Sequence, residues 1–383
     1  MSILACTGSN YYVSTPEGVA DLVEKISQAS RVAVDTEADS LHHYFEKVCL
    51  IQVSVNGGHY IVDPLAGVDV KPVVRALEKA ALILHGADYD LRMLRRDFEF
   101  RASEVFDTMS AAQLVGHDRI GLAALVETLC GVKLSKQCQK ADWSRRPLPG
   151  ELLAYATNDT RYLHCLAEKL EAQLRDENRL EWHREVCREL IATVADNNRT
   201  PDPERAWRVK GWHTLKSRFA QAILREIWQW RDNEARRADV PAFKILGGEN
   251  LIALAAWAET ETGFDSIPKL PRHIVGRRLR SLQAAIDKGR SLPDNKWPKP
   301  LAPPQRERAP DSEKLATRLR KLRDDAAKEL NLPPAILVPA ASLAAIARTR
   351  PQTRDAMKSV GELYDWQVGL LAEAFVRAIR EDG

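Results

Sequence analysis

No run of about 18 or more apolar residues occurs in the 383-residue chain, so no segment reads as a membrane-spanning helix. The opening MSILACTGSNYYV lacks both the basic start and the apolar core of a secretory signal, so a cytoplasmic location is expected. The six cysteines (Cys6, Cys49, Cys130, Cys138, Cys165, Cys187) include no C-x-x-C pair. That spacing argues against a zinc cluster or a disulfide framework and for reduced thiols. Neither sign of charge dominates. With 56 Lys/Arg against 53 Asp/Glu, a formal +3, the whole chain is neither a polycation nor an acidic solvating tail. What is present, 45% hydrophobic and 28% charged residues, is globular, and the length suits two or three domains.

Charge is nevertheless unevenly placed. Residues 1–204 carry 23 basic against 31 acidic side chains, residues 205–290 carry 17 against 9, and residues 291–383 carry 16 against 13. An acidic first half followed by a basic middle suits cation chemistry in one part and polyanion binding in another. In the first half, RVAVD at 31–35, VCLIQVSV at 48–55 and HYIVD at 59–63 are β-branched runs, and Asn56-Gly57-Gly58 predicts a hairpin between the last two. A short apolar run at 81–84 lies between helical patterns at 70–79 and 88–97. Together they predict an α/β domain with a mixed sheet flanked by helices. From Pro149 onward, Leu152, Tyr155, Ala156, Asp159, Leu163, Leu166 and Leu170 recur as one face of a long helix. The breaker-rich NNRTPDP at 197–203 ends this domain, taken as residues 1–200. Two small all-α domains follow, at 205–290 and 312–383, with similar helix–break–helix layouts that suggest a diverged repeat. Residues 291–311, with six prolines, read as an extended linker that lets the last module move.

Within the first domain several acids are placed for joint action. Asp35 and Glu37 lie two apart on a strand and therefore share a face. Asp90 follows ILHGADYD near the start of a helix, and Tyr155 and Asp159 lie four apart on one helical face. Each is weak alone; the combination is specific. D-x-E on a first strand, an Asp after the next strand–helix junction and a late Y-x-x-x-D resemble the 3′–5′ exonucleases with four acids and a tyrosine. The surrounding words VAVDTEADSLHHYFEKVCLIQVS, ILHGADYDLRML, VFDTMSAAQLVG and DWSRRPLPGELLAYATNDTRYL are similar to those of ribonuclease D. FAQAILREIWQWRDNEARRADVPAFKILGGENLIALA resembles the accessory domain shared by helicases and ribonuclease D.

The resemblance implies a ribonuclease-H-like exonuclease domain followed by the two all-α domains. It implies a 3′–5′ exoribonuclease releasing nucleoside 5′-monophosphates, with Asp35, Glu37, Asp90 and Asp159 holding two divalent cations, Mg²⁺ or Mn²⁺, and Tyr155 orienting the attacking water. Between Asp88 and Asp90, the A-x-x-D spacing and Leu91-x-x-Leu94 favour Asp90, while Asp107 reads as a helix cap. Thr36, His85, Arg145, Arg146, Arg225, Arg277 and Arg278 are the expected substrate contacts, the last three within the basic module. His85 is followed by Gly86 where many relatives carry Asn. The implied partner is RNA with a single-stranded 3′ end, namely tRNA precursors and other small structured RNAs, bound by a monomer. A general or DNA-directed 3′–5′ exonuclease and a non-catalytic nucleic-acid-binding scaffold are the alternatives. Absence of polymerase or helicase motifs weighs against the first, and presence of all four acids against the second.

Overall fold

The computed structural model describes residues 9–135, 138–196, 202–261, 263, 266–300 and 310–382. Cys6, the joint at 197–201 and the proline-rich stretch at 301–309 lie outside them. The β-branched runs form one six-stranded mixed sheet of order β1-β4-β3-β2-β5-β6, comprising β1 (Asn10–Val13), β2 (Val32–Ala38), β3 (Val48–Val55), β4 (Gly58–Val62), β5 (Ala81–Leu84) and β6 (Glu104–Asp107). Strand β3 runs antiparallel to both neighbours, and the remaining pairs are parallel. The hairpin turns at Asn56 (φ 49°) and Gly57 (φ 77°), the two left-handed residues a tight β3–β4 connection requires. Two strands escape the sequence pattern, β1 and β6, because each is only four residues long.

Alternation sorts the two faces of the sheet. Val32 and Val34 of β2, with Ile51, Val53 and Val55 of β3, enter the core made with helices α1 (Pro16–Ser27), α2 (Lys71–Lys79) and α3 (Asp88–Phe98). The opposite face carries Ala33, Asp35 and Glu37. Helices α4 (Thr108–Leu114) and α5 (Leu122–Leu125) follow β6, and α6 (Gly150–Arg161), α7 (Leu163–Asp176) and α8 (Leu180–Asp196) complete this part of the chain. The expected long helix is two helices, broken at Tyr162, which has φ −101° and ψ −1° as both the end of α6 and the cap of α7. The apolar repeat continues across the break, so periodicity alone cannot reveal it.

The chain divides into two compact units. One comprises residues 39–47, which join β2 to β3, together with the segment from 202 to 300. Its helices are α9 (Pro203–Ala206), α10 (Arg218–Ala238), α11 (Ala242–Ile245), α12 (Gly248–Thr260) and α13 (Leu279–Arg290). Ile223, Leu224 and Ile227 of α10 pack with Leu251 and Leu254 of α12 and Leu282 and Ile286 of α13. Tyr44 donates to Asp232 at 3.0 Å, and Asp239 accepts from the amides of Tyr44 and Phe45 at 3.1 and 3.2 Å. The described part of the proline-rich segment is not an extended spacer. Trp297 packs on Phe219 with ring centroids 5.5 Å apart, and Arg218 donates to the carbonyls of Pro298 and Trp297 at 3.1 and 3.3 Å.

The remaining helices, α14 (Pro310–Glu329), α15 (Pro334–Leu337), α16 (Ala340–Thr349), α17 (Arg354–Gly361) and α18 (Asp365–Glu381), belong to the unit that holds the sheet. They repeat the α10–α13 plan in detail. Asp239 after α10 and Asn331 after α14 are both left-handed, at φ 46° and 51°. One-turn helices follow each, and buried arginines on the long helices, Arg231 and Arg323, donate to the carbonyls of Leu246 and Val338 that end them, at 3.3 and 3.0 Å.

Far from swinging on a linker, this last module shares a core with the first domain. Trp366 stacks on Trp182 at 4.6 Å, and Glu185 accepts from the amides of Asp365 and Trp366 at 2.5 and 3.2 Å. Buried Arg179 donates to the carbonyls of Leu114 and Leu330, both at 2.7 Å. At Gly116 (φ +78°) a Cβ would stand 2.5 Å from the carbonyl oxygen of Asn331, so only glycine permits this approach. No helix among the described residues is long and apolar enough to cross a membrane. Arg179→Met leaves two carbonyls without their donor and is expected to lower unfolding free energy by about 1–3 kcal/mol in urea titrations. A freely moving last module would instead leave the midpoint unchanged.

Candidate active site

Strand β2 delivers Asp35 and Glu37 to the sheet face covered by α6, and α6 delivers Asp159. Ligand oxygens of these three carboxylates all lie within 4.8 Å of one another. Asp90 joins from the first turn of α3. Its Oδ1 accepts from the Thr36 amide at 3.0 Å and from the Thr36 hydroxyl at 2.6 Å, which ties α3 to β2 in the middle of the D-T-E sequence. Asp88 is separate: it is exposed and forms an i,i+4 ion pair with Arg92 at 2.8 Å.

Crowding acids into a buried place disfavours their charged forms. Burial pushes the Asp35 carboxyl well above the usual range, and the negative charges of Asp90, Asp159 and Glu37 push it further. Glu37 is raised to about 9 by burial and then by Asp159 and Asp90. Asp159 is raised to about 7 by burial and Asp90. Asp90 reaches about 6, with burial opposed by the two Thr36 hydrogen bonds. A hard divalent cation is the natural counter-charge for such an all-oxygen set, and the donor chemistry of Asp35, Glu37 and Asp159 fits one.

Tyr155 sits one turn before Asp159 on α6, half-buried against Trp143 with ring centroids 6.1 Å apart. Burial first, then Asp159, Glu37 and Asp35, drive its phenol upward, so it stays protonated near neutral pH. Its side-chain partner is Gln139. Neither Gln139, three residues before DWSRRPLPGEL, nor Trp143, the second residue of that word, stands out in the sequence as a partner of Tyr155, because their meaning depends on a loop folding back over α6.

The structure redirects several expected substrate contacts. The hydroxyl of Thr36 is engaged by Asp90. His85 bonds Thr108 Oγ1 through Nδ1 at 3.0 Å, and burial lowers its pKa to about 4, leaving a neutral imidazole. Arg146 forks onto Asp63 at 2.6 Å and onto the carbonyls of Trp143 and Cys49 at 2.7 and 3.0 Å, pinning the segment before α6 to the sheet. Arg225 donates to Lys296 O at 2.9 Å, and Arg278 pairs with Glu234 at 3.0 Å. Only Arg145, 82% exposed beside Asp142, and the exposed Arg277 face solvent. Asp107 caps α4 by accepting from Met109 N at 3.0 Å, and also takes Gly86 N at 2.7 Å. That second bond needs no side chain at position 86, so the missing Asn leaves this cap intact.

Residues 10–175 match the family model for a 3′–5′ exonuclease, and residues 220–286 and 312–379 each match the HRDC domain, so the two helical modules are a repeat. Ribonuclease D of Gluconacetobacter diazotrophicus is 30% identical over 293 residues, spanning 75% of this chain and 74% of that protein. A crystal structure of a protein from Bifidobacterium adolescentis has a TM-score of 0.81 at 25% identity, covering 97% of both chains. Ribonuclease D of Escherichia coli, described as an exoribonuclease involved in structured RNA processing, shares the fold with a TM-score of 0.73 at 23% identity, over 97% of this chain and 98% of that one. With its sheet, its acids and its paired helical modules accounted for, the chain belongs to the ribonuclease D family of 3′–5′ exoribonucleases.

Proposed function

We propose that the protein is a divalent-cation-dependent enzyme that trims RNA 3′ ends and releases nucleoside 5′-monophosphates. Its substrates are tRNA precursors and other small structured RNAs, and it works as a cytoplasmic monomer. The observation that carries the reading is the convergence of Asp35, Glu37 and Asp159 within 4.8 Å on one sheet face. The description of the Escherichia coli relative supports the choice of structured RNA.

Two Mg²⁺ or Mn²⁺ ions, when bound, would supply an acidified water and neutralise charge on the scissile phosphate. The chain's own residues hold and orient. Asp35, Glu37 and Asp159 present oxygens to the ions. Asp90, fixed by Thr36, brings a fourth carboxylate to the same place. The Tyr155 phenol, too weak an acid to act as base, holds the attacking water by hydrogen bonding. Exposed Arg145 and Arg277 are the remaining candidates for backbone phosphate, a contact that gives affinity without reading sequence.

Asp35→Ala is expected to reduce hydrolysis of a 5′-labelled tRNA precursor by at least about a hundredfold while RNA binding persists. Retention of a tenth of the rate, by this order-of-magnitude standard, would remove Asp35 from the site. Tyr155→Phe should slow turnover roughly tenfold or more at unchanged RNA affinity, whereas equal rates would exclude the phenol from the mechanism. Shortening of RNA but not of its DNA counterpart is expected in the same assay, because the 2′-OH distinguishes them. Equal degradation would make the enzyme a general exonuclease.

The raised acids also set a pH dependence. Glu37 and Asp159 titrate at about 9 and about 7 in the fold but near 4 in the unfolded chain, so the folded state binds more protons and loses stability as pH rises. In EDTA the melting temperature should therefore fall as pH rises toward about 9, and between about pH 7 and 9, above the Asp159 value, Glu37 carries the fall. His59, His85 and His183, lowered to about 4 by burial, add stability only as pH rises to their unfolded value of about 6.5, below this window. Mg²⁺ should flatten the fall. A melting temperature that holds or rises across this window in EDTA would contradict the acid assignment.

A further inference from the structure

Strand β3 is buried along its whole length, and its residues are apolar except Gln52 and Ser54. Gln52 is 0% exposed, and neither its Oε1 nor its Nε2 has a hydrogen-bond partner. Burying an unpaired amide costs about 1–3 kcal/mol, and Leu or Met would fill the same space without that cost. Ser54, two residues along the same face, is fully engaged: its hydroxyl meets His59 Nδ1 and Thr160 Oγ1, both at 2.7 Å. Its neighbours therefore do not satisfy the glutamine.

Register says where the amide is. Gln52 lies directly opposite Asp35 across the antiparallel β2–β3 ladder, and Leu50 lies opposite Glu37. Directly opposed residues share a face with Cβ atoms about 5 Å apart, so the register puts the Gln52 side chain on the face of the acid cluster, within reach of Asp35. An ionised carboxylate has about four acceptor sites, and one that also holds a cation needs its outer sites filled by a fixed donor to keep its orientation. Asp90 has that support from Thr36.

We propose that Gln52 is a positioning residue of the active site, its Nε2 donating to the Asp35 carboxylate in the cation-loaded enzyme and so fixing the oxygen that Asp35 turns to the ion. The proposal rests on the reading of Asp35 as a cation ligand. It explains why a strand that is otherwise core tolerates an unpaired amide: the group is complete only when the site is loaded.

The test uses the full chain as Gln52→Met, with Asp35→Asn and wild type alongside, and reads Mn²⁺ binding by calorimetry without RNA, melting in EDTA, and kcat and KM on RNA. Gln52→Met should melt in EDTA at or above the wild-type temperature, bind Mn²⁺ about tenfold more weakly and lose kcat at unchanged KM. Lower melting with unchanged Mn²⁺ affinity would make Gln52 a structural residue and overturn the proposal. Weakened Mn²⁺ binding in Asp35→Asn but not in Gln52→Met would overturn it while sparing the reading of Asp35. Unchanged binding in Asp35→Asn would overturn both. Gln52→Asn, whose shorter amide keeps the polarity but withdraws the donor, carries the same comparison if the Met variant does not fold.

Discussion

Mutual repulsion among buried carboxylates is the constraint around which this molecule is arranged. Asp35, Glu37 and Asp159 converge on one point, and Asp90 lies close enough to raise the pKa of each of them. Without a counter-charge such a cluster holds protons well above the ordinary carboxylate range. With a divalent cation it can ionise, and the same repulsion becomes affinity. The fold must therefore hold the acids where they would not settle by themselves. It does so by covalent spacing on β2, by the four-residue step on α6 and by Thr36 gripping Asp90.

The rest of the architecture braces those elements. Arg146 fastens the segment leading into α6 to Asp63 and to the backbone of β3, so the helix bearing Tyr155 and Asp159 begins from a fixed point. Behind the sheet-bearing domain, Arg179, the Trp182–Trp366 stack and the close approach at Gly116 join the last helical module to it. The two helical modules share one family plan but differ in placement. One is built into the unit of the sheet, while the other forms its own unit with residues 39–47. The two copies thus differ in what they pack against, and in the basic copy several arginines, Arg225 and Arg278 among them, are committed to internal partners.

Much of the site was legible because its geometry is local. Asp35 with Glu37 obeys the two-residue period of a strand, Tyr155 with Asp159 the four-residue step of a helix, and the Asn-Gly turn fixes the β3–β4 hairpin beside the strand that carries the first pair. What escaped depends on long-range pairing. β1 and β6 are too short to show a period and exist because longer strands offer them edges. The break at Tyr162 keeps the apolar repeat in phase, so it leaves no mark in the pattern. Thr36, His85 and Arg146 read as substrate contacts because polar groups near a site invite that reading. Their partners Asp90, Thr108 and Asp63 lie 54, 23 and 83 residues away. Gln52 is the extreme case: in sequence it is one polar letter in a hydrophobic strand, and only the register with Asp35 gives it a role.

The central claim, that cations replace protons on these acids, is tested most directly by counting protons. Mn²⁺ titrated into the protein at pH 7 by calorimetry, in buffers of differing ionisation enthalpy, should release at least about one proton per site, with the release fading above the Glu37 value of about 9. Tight binding without proton release at pH 7 would mean that the acids are already ionised in the empty fold, and the account of the site as a repulsion resolved by cations would be wrong.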